Sequence, residues 1–209
     1  MPKKLKAPNP DKPMIARKGL VICSIGDGKG KTSAAMGVAA RASGAGMNVF
    51  ILQFVKARKP KDGEKLQSGE WPLSNEIEFF NNASLRGQLG KIDNEQVGAG
   101  FVGILGDQKE KDTHIREAIK GLEIARKVIQ SGEYQLVVLD EIISALELGL
   151  IEERDILDLI ASKPELMHLV VTGHTKFPGI VKASDLVTEM KMVKHPYYKN
   201  ILAQRGIDY

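Results

Sequence analysis

The chain has 209 residues, 43% of them hydrophobic and 27% charged, with a formal net charge of +4. These values are ordinary for one soluble globular domain with a full core. No apolar run reaches the length of a membrane span, and the start Met-Pro-Lys-Lys-Leu-Lys lacks an apolar signal segment, so neither membrane insertion nor export is expected.

Residues 1–18 form a basic tail containing Pro2, Pro8, Pro10 and Pro13. Six of the 30 cations and one of the 26 acids lie there, which leaves the body with 24 cations and 25 acids. The basicity therefore belongs to the tail. A nucleic-acid groove needs cations on the folded body, interleaved with aromatics, and aromatics are only 5% here, so no nucleic-acid partner is expected. Residues 19–209 are expected to form a single domain.

The first predicted strand spans 20–24. It contains Cys23, the one cysteine, which cannot form an intrachain disulfide and fits a reducing cytoplasm. Its place in an apolar strand makes it a small buried hydrophobe. The run Ile25-Gly26-Asp27-Gly28-Lys29-Gly30-Lys31-Thr32-Ser33 follows, and then a helix over 31–43 that ends at Gly44 and Gly46. Strand, glycine loop, helix is the setting of a phosphate-binding loop. Glycines let several N–H groups converge on one anion, the helix N-terminus adds partial positive charge, and Lys31 adds a full one. The Thr32 hydroxyl is placed to ligate Mg²⁺. The usual spacing puts Gly where Ile25 stands, so this loop starts one residue late, and it carries an extra cation, Lys29.

A second, nearly all-apolar strand covers 49–55, as expected of a strand buried on both faces. Residues 56–75 are polar and read as loop, and 77–80 as a short strand. Residues 81–107 carry six glycines among scattered apolar residues and read as a long loop. An amphipathic helix covers 109–130. The strand 135–139 ends in Asp140-Glu141, and helices at 142–148 and 153–161 follow. Strands at 169–172 and 186–192 complete the chain, the first leading into Gly173-His174. Strands alternating with helices predict an α/β fold with a parallel sheet, whose ligands sit at the carboxyl ends of the strands. The glycine loop, Asp140-Glu141 and Gly173-His174 should then share one rim. In such proteins an acid at the end of a buried strand holds Mg²⁺, directly or through water. One of the two acids can face the ion while the other orients Thr32 or Ser33. Phosphate binding follows from this pattern, but the reaction does not. No histidine sits in a nucleophile motif.

Several motifs in order resemble the P-loop ATP:corrinoid adenosyltransferase family. Gly26-Asp27-Gly28-Lys29-Gly30-Lys31-Thr32 is similar to that family's G-N-G-K-G-K-T, and Ala39-Ala40-Arg41-Ala42 to its A-A-R-A. Gln53-Phe54-Val55-Lys56 resembles Q-F-I-K, and Val138-Leu139-Asp140-Glu141 resembles V-L-D-E. Val193-Lys194-His195, Ala203-Gln204 and Gly206-Ile207-Asp208-Tyr209 resemble V-K-H, A-Q and G-I-D-Y at the same spacing. The resemblance implies a RecA-like three-layer sandwich. It also implies transfer of the 5′-deoxyadenosyl group of ATP to cob(I)alamin or a corrinoid precursor, with triphosphate released and ATP held in reversed sense.

It further implies that Gly26, Asp27, Gly28, Lys29, Gly30, Lys31, Thr32, Ser33 and Arg41 bind the nucleotide, with N–H groups from Gly28 to Thr32 mattering most. Thr32 and Glu141, with Asp140, would hold Mg²⁺. Lys31, Glu141 and Phe101 would serve catalysis, Phe101 as the apolar wedge that displaces the lower axial ligand of cobalt. An external electron donor, a homodimer and a tail acting as a lid belong to the same expectation. Two departures stand out: Gly103 where the family has Trp, with Ile104 and Leu105 close by, and His174 where it has Arg. A P-loop ATPase or phosphotransferase, or a carrier of corrinoid or nucleotide, remain the competing functions.

Overall fold

The computed structural model describes residues 18–55, 89–100, 110–204 and 207. The elements are β1 (Val21–Ile25), α1 (Lys31–Gly44), β2 (Val49–Gln53), β3 (Ile92–Gln96), α2 (Lys111–Ser131) and β4 (Leu136–Asp140). They continue with α3 (Ile142–Glu147), α4 (Glu153–Ser162), β5 (His168–Thr172), α5 (Pro178–Ala183) and β6 (Leu186–Glu189). The strands form one sheet in the order β3-β2-β4-β5-β1-β6, and every pairing is parallel.

Parallel pairing needs a crossover between strands, and the helices that supply it cover both faces. On one face Ala35, Met36 and Ala39 of α1 pack on Val49, Ile51, Leu136, Val138 and Val170. On the other, Leu122, Ala125 and Ile129 of α2 and Ile156 and Leu159 of α4 join Phe50, Leu52, Val137, Leu139, Leu169 and Val171. Strand side chains alternate between faces, so both parities of β2 and β4 must be apolar, as they are. Cys23 lies wholly inside this core, and burial pushes its thiol up to about 11, which keeps it protonated and unreactive at neutral pH.

The structure corrects several expected boundaries. Residues 92–96, inside the segment expected to be loop, are strand β3, paired residue for residue with β2. Its sequence, Ile-Asp-Asn-Glu-Gln, has no apolar run, because an edge strand is half solvated and draws its stability from its neighbour. β2 stops at Gln53, and Val55 turns away with φ of 62°. β6 stops at Glu189, short of the expected 192. Helix α5, with Pro178 in its first turn, was not expected. The helix ends fare better. α1 closes beside Gly46 at φ of 80°, and α2 closes at Gly132 at φ of 72°. The tail before residue 18, the expected strand 77–80, and Phe101, Gly103, Ile104 and Leu105 lie outside the described residues. No helix among the described residues is long and apolar enough to cross a membrane.

Candidate functional site

The loop between β1 and α1 is built on backbone close contacts. The Gly26 N–H donates to the His174 carbonyl (2.8 Å), and the Gly28 N–H donates to the Met190 carbonyl (2.8 Å). The Met190 N–H returns to the Ile25 carbonyl (2.8 Å). The chain leaving β6 thus clamps the outer side of the loop, which is why β6 ends where it does. Gly26 has φ of 110°, and a Cβ there would lie 2.2 Å from the Met190 oxygen. Gly26→Ala therefore meets both left-handed strain and a backbone clash. It should cost about 3 kcal/mol or more, visible as a fall in Tm of roughly 6–12 °C. An unchanged melting curve would refute the clamp.

Gly28 was expected to offer its N–H to phosphate. That N–H is instead bonded within the protein, so Gly28 contributes room: a Cβ there would meet Met190 and Lys191 backbone at 2.8 Å. Gly30, at φ of 105°, caps α1 with no side-chain hydrogen bond. The first-turn amides of Lys31, Thr32 and Ser33 therefore form a helix terminus suited to an anion, with no acid in the turn to oppose it. Lys31 is buried, and its ammonium donates to the carbonyls of Gly26 (2.8 Å) and Gly28 (2.9 Å). It is held folded into the loop. Asp27 and Lys29 are exposed at its rim, and Asp27 Oδ1 accepts from the Met192 N–H at 3.4 Å.

Asp140, fully buried at the end of β4, is the acid that meets the loop. The Thr32 hydroxyl lies 3.1 and 3.2 Å from its two oxygens. Thr172 Oγ1 (2.8 Å) and Gln53 Nε2 (3.0 Å) also donate to it. Glu141 turns the other way. It stands at φ of 61° ahead of α3, and its N–H donates to Thr172 Oγ1 (2.8 Å). Its carboxylate accepts from the Ser144 hydroxyl, which lies 3.1 Å from His174 Nδ1; that ring nitrogen is 3.9 Å from Glu141 Oε2. Gly173 lets β5 pass under α3, since a Cβ there would sit 2.5 Å from Ile143 Cβ.

The loop, Asp140-Glu141 and Gly173-His174 do share one rim. Arg41 does not join them. It is exposed in the last turn of α1, ten residues beyond Lys31, or about 15 Å along the axis. There its charge complements the carbonyl end of the helix. Gln53, Thr172, Ser144 and Met190 were not singled out for chemistry. Gln53 appears in the sequence only at the head of the Gln53-Phe54-Val55-Lys56 motif, and Thr172 only as a polar residue closing an apolar strand. The donor set suits Mg²⁺: a hydroxyl and one or two carboxylates, all hard oxygens, leaving most positions for phosphate and water. Among the described residues no group of three or more His, Cys, Asp or Glu forms a fuller metal cage.

Residues 17–209 match the family model described as ATP:corrinoid adenosyltransferase BtuR/CobO/CobP. A corrinoid adenosyltransferase of Pseudomonas aeruginosa is 32% identical over 192 residues, covering 92% of this chain and 84% of that protein. A corrinoid adenosyltransferase of a Sinorhizobium species is 29% identical over 193 residues, covering 92% and 81%. The corrinoid adenosyltransferase CobA of Salmonella typhimurium is 28% identical over 192 residues, covering 92% and 86%. With its loop, strand-end acids and parallel sheet in the order this chemistry uses, the chain belongs to the BtuR/CobO/CobP family of ATP:corrinoid adenosyltransferases.

Proposed function

We propose that this chain transfers the 5′-deoxyadenosyl group of ATP to the cobalt(I) of cobalamin or a corrinoid precursor, with triphosphate as leaving group, in adenosylcobalamin synthesis. The observation that carries the proposal, beside family membership, is the meeting of Thr32 with Asp140 next to a lysine-filled glycine loop. In the reaction the C5′–O bond breaks, a Co–C bond forms with the electron pair of cobalt(I), and triphosphate departs. Cobalt(I) is itself a strong nucleophile, so no protein base is needed.

The protein's work is to hold C5′ in line and to neutralise the leaving group. Gly26, Gly28 and Gly30 shape the cradle. The amides of Lys31, Thr32 and Ser33 and the ammoniums of Lys31 and Lys29 face the triphosphate, with Asp27 at the rim. Thr32 and Asp140 would hold Mg²⁺, joined by Glu141 once its carboxylate leaves the Ser144 hydroxyl, and the bound ion would add positive charge at the leaving triphosphate. An external one-electron donor, a homodimer and a cytoplasmic setting complete the proposal and rest on the family likeness.

The test is the product. MgATP and chemically reduced corrinoid should give light-sensitive alkylcobalt and triphosphate. ADP or free phosphate would replace this reading with an ATPase or phosphotransferase. A corrinoid spectral shift without a Co–C bond would replace it with a carrier. Phe101 belongs to the proposal as the group that makes cobalt(II) reducible. Phe101→Ala should leave the Kd for ATP unchanged and slow turnover from cob(II)alamin by about tenfold or more. Equal slowing with pre-reduced cob(I)alamin would remove that role.

A further inference from the structure

Five adjacent strands carry polar residues at one level near their carboxyl ends. Ser24 pairs with Thr172, and Gln53 pairs with Asp140 on one side and Gln96 on the other. Thr172 closes the row by its hydroxyl bond to Asp140. The apolar residues one step below, such as Ile22, Ile51, Val138 and Val170, belong to the face that carries α1, so this row lines the same face beside the α1 N-terminus.

The row has a direction, and Asp140 sets it. A carboxylate only accepts hydrogen bonds. Gln53 must therefore turn Nε2 to Asp140 (3.0 Å), which leaves its Oε1 toward Gln96. Gln96 must in turn present Nε2 to that oxygen (2.8 Å). Rotating either amide would place oxygen against oxygen. Gln96 Oε1 is thus left over. It is buried, and among the described residues no group donates to it. A buried carbonyl without a donor is costly and rare in native proteins. This one lies at the carboxyl edge of the sheet, where ligands of such folds bind, two strand spacings or about 10 Å from Asp140.

We infer that Gln96 Oε1 is a substrate contact, accepting a hydrogen bond from a neutral N–H donor, and that Gln53 is the positioning residue that keeps the acceptor facing the substrate. The inference rests on the proposed reaction, whose two substrates both carry such donors: the exocyclic amine of adenine and the carboxamides of the corrinoid periphery.

Gln96→Met keeps the side-chain length and removes the acceptor. In the full-length protein we expect a three- to tenfold loss in one of two parameters. If adenine is the donor, the MgATP Kd measured without corrinoid rises, and the variant and wild type bind magnesium inosine triphosphate equally. If the corrinoid is the donor, the ATP Kd holds and the KM for cob(I)alamin rises at unchanged kcat. In either case Tm should not fall by more than a few degrees: the variant takes away the Nε2 donor of Gln53 Oε1 but also the unpaired buried oxygen of Gln96, and the two changes oppose each other. Gln53→Met should shift the same parameter, and the double variant should lose no more than the larger single loss. Parameters within twofold of wild type, or additive losses, would overturn the inference. Wild-type protein that makes no adenosylcobalamin would instead sink the proposed function.

Discussion

Lys31→Ala should abolish productive nucleotide binding. The expected loss is about 100-fold or more in MgATP affinity and roughly 10³-fold in adenosyl transfer. Two features of the structure set that size. The ammonium is buried in the glycine loop and already directed at its carbonyls, so it can reach phosphate oxygens after a small rotation. In the proposed reaction it would stand where the leaving triphosphate gathers charge, and its burial strengthens that attraction. The truncation leaves the Gly26 and Gly28 carbonyls without their present donor, which should cost about 1–3 kcal/mol of stability. Lys31→Arg should not rescue: the planar guanidinium is too wide for a cradle in which even a Cβ on Gly26 or Gly28 would come within 3 Å of the Met190 backbone. Titration calorimetry with MgATP checks affinity, and single-turnover spectra of cob(I)alamin check transfer. Affinity within threefold of wild type would remove the loop from nucleotide binding altogether.

The contrast between Lys31 and Gln96 shows what a sequence exposes and what it hides. The glycine loop is local: its strand, glycines, lysine and hydroxyl are contiguous, so their chemistry needs no knowledge of the rest of the fold. Asp140 is nearly as visible, because a buried parallel strand is an apolar run and a charge that ends it stands out. The polar row across the strand ends is different. Gln53, Gln96 and Thr172 meet only because β3, β2, β4 and β5 lie side by side in a fixed register, and strand order is not written in any one segment.

Strand β3 was missed for a related reason. At the sheet edge, pairing with β2 substitutes for the branched and aromatic residues that mark a central strand. The division of labour between Asp140 and Glu141 was likewise undecided until backbone geometry entered. The left-handed turn at Glu141 sends its carboxylate to Ser144 and toward His174, leaving Asp140 alone to face Thr32. Arg41 is the reverse case, a motif residue assigned to the nucleotide by likeness that the helix carries about 15 Å along its axis from Lys31.

Asp140→Asn tests whether that acid is part of the machinery or only of the fold. Among the described residues the hydroxyls of Thr32 and Thr172 and the amide of Gln53 converge on the carboxylate. An asparagine can accept with its oxygen but must turn an NH₂ toward at least one of them. The hydroxyls can rotate to accept, whereas an NH₂ turned to Gln53 would force that amide to flip and reverse the row out to Gln96. The net stability loss should be about 2–4 kcal/mol, a fall in Tm of roughly 5–15 °C.

Activity should fall further than stability explains. The expected loss is about 10²–10³-fold in adenosyl transfer at saturating ATP, with a higher Mg²⁺ concentration needed for half-maximal rate. Thr32 separates the two effects. Thr32→Ser keeps the hydroxyl and should retain most activity, and Thr32→Val should lose it while barely changing the core. If the hydroxyl and the carboxylate act as one unit, Asp140→Asn combined with Thr32→Val should be little worse than the poorer single variant. A folded Asp140→Asn protein with wild-type transfer and an unchanged Mg²⁺ requirement would make Asp140 a structural acceptor. It would leave Glu141 as the acid that serves the reaction.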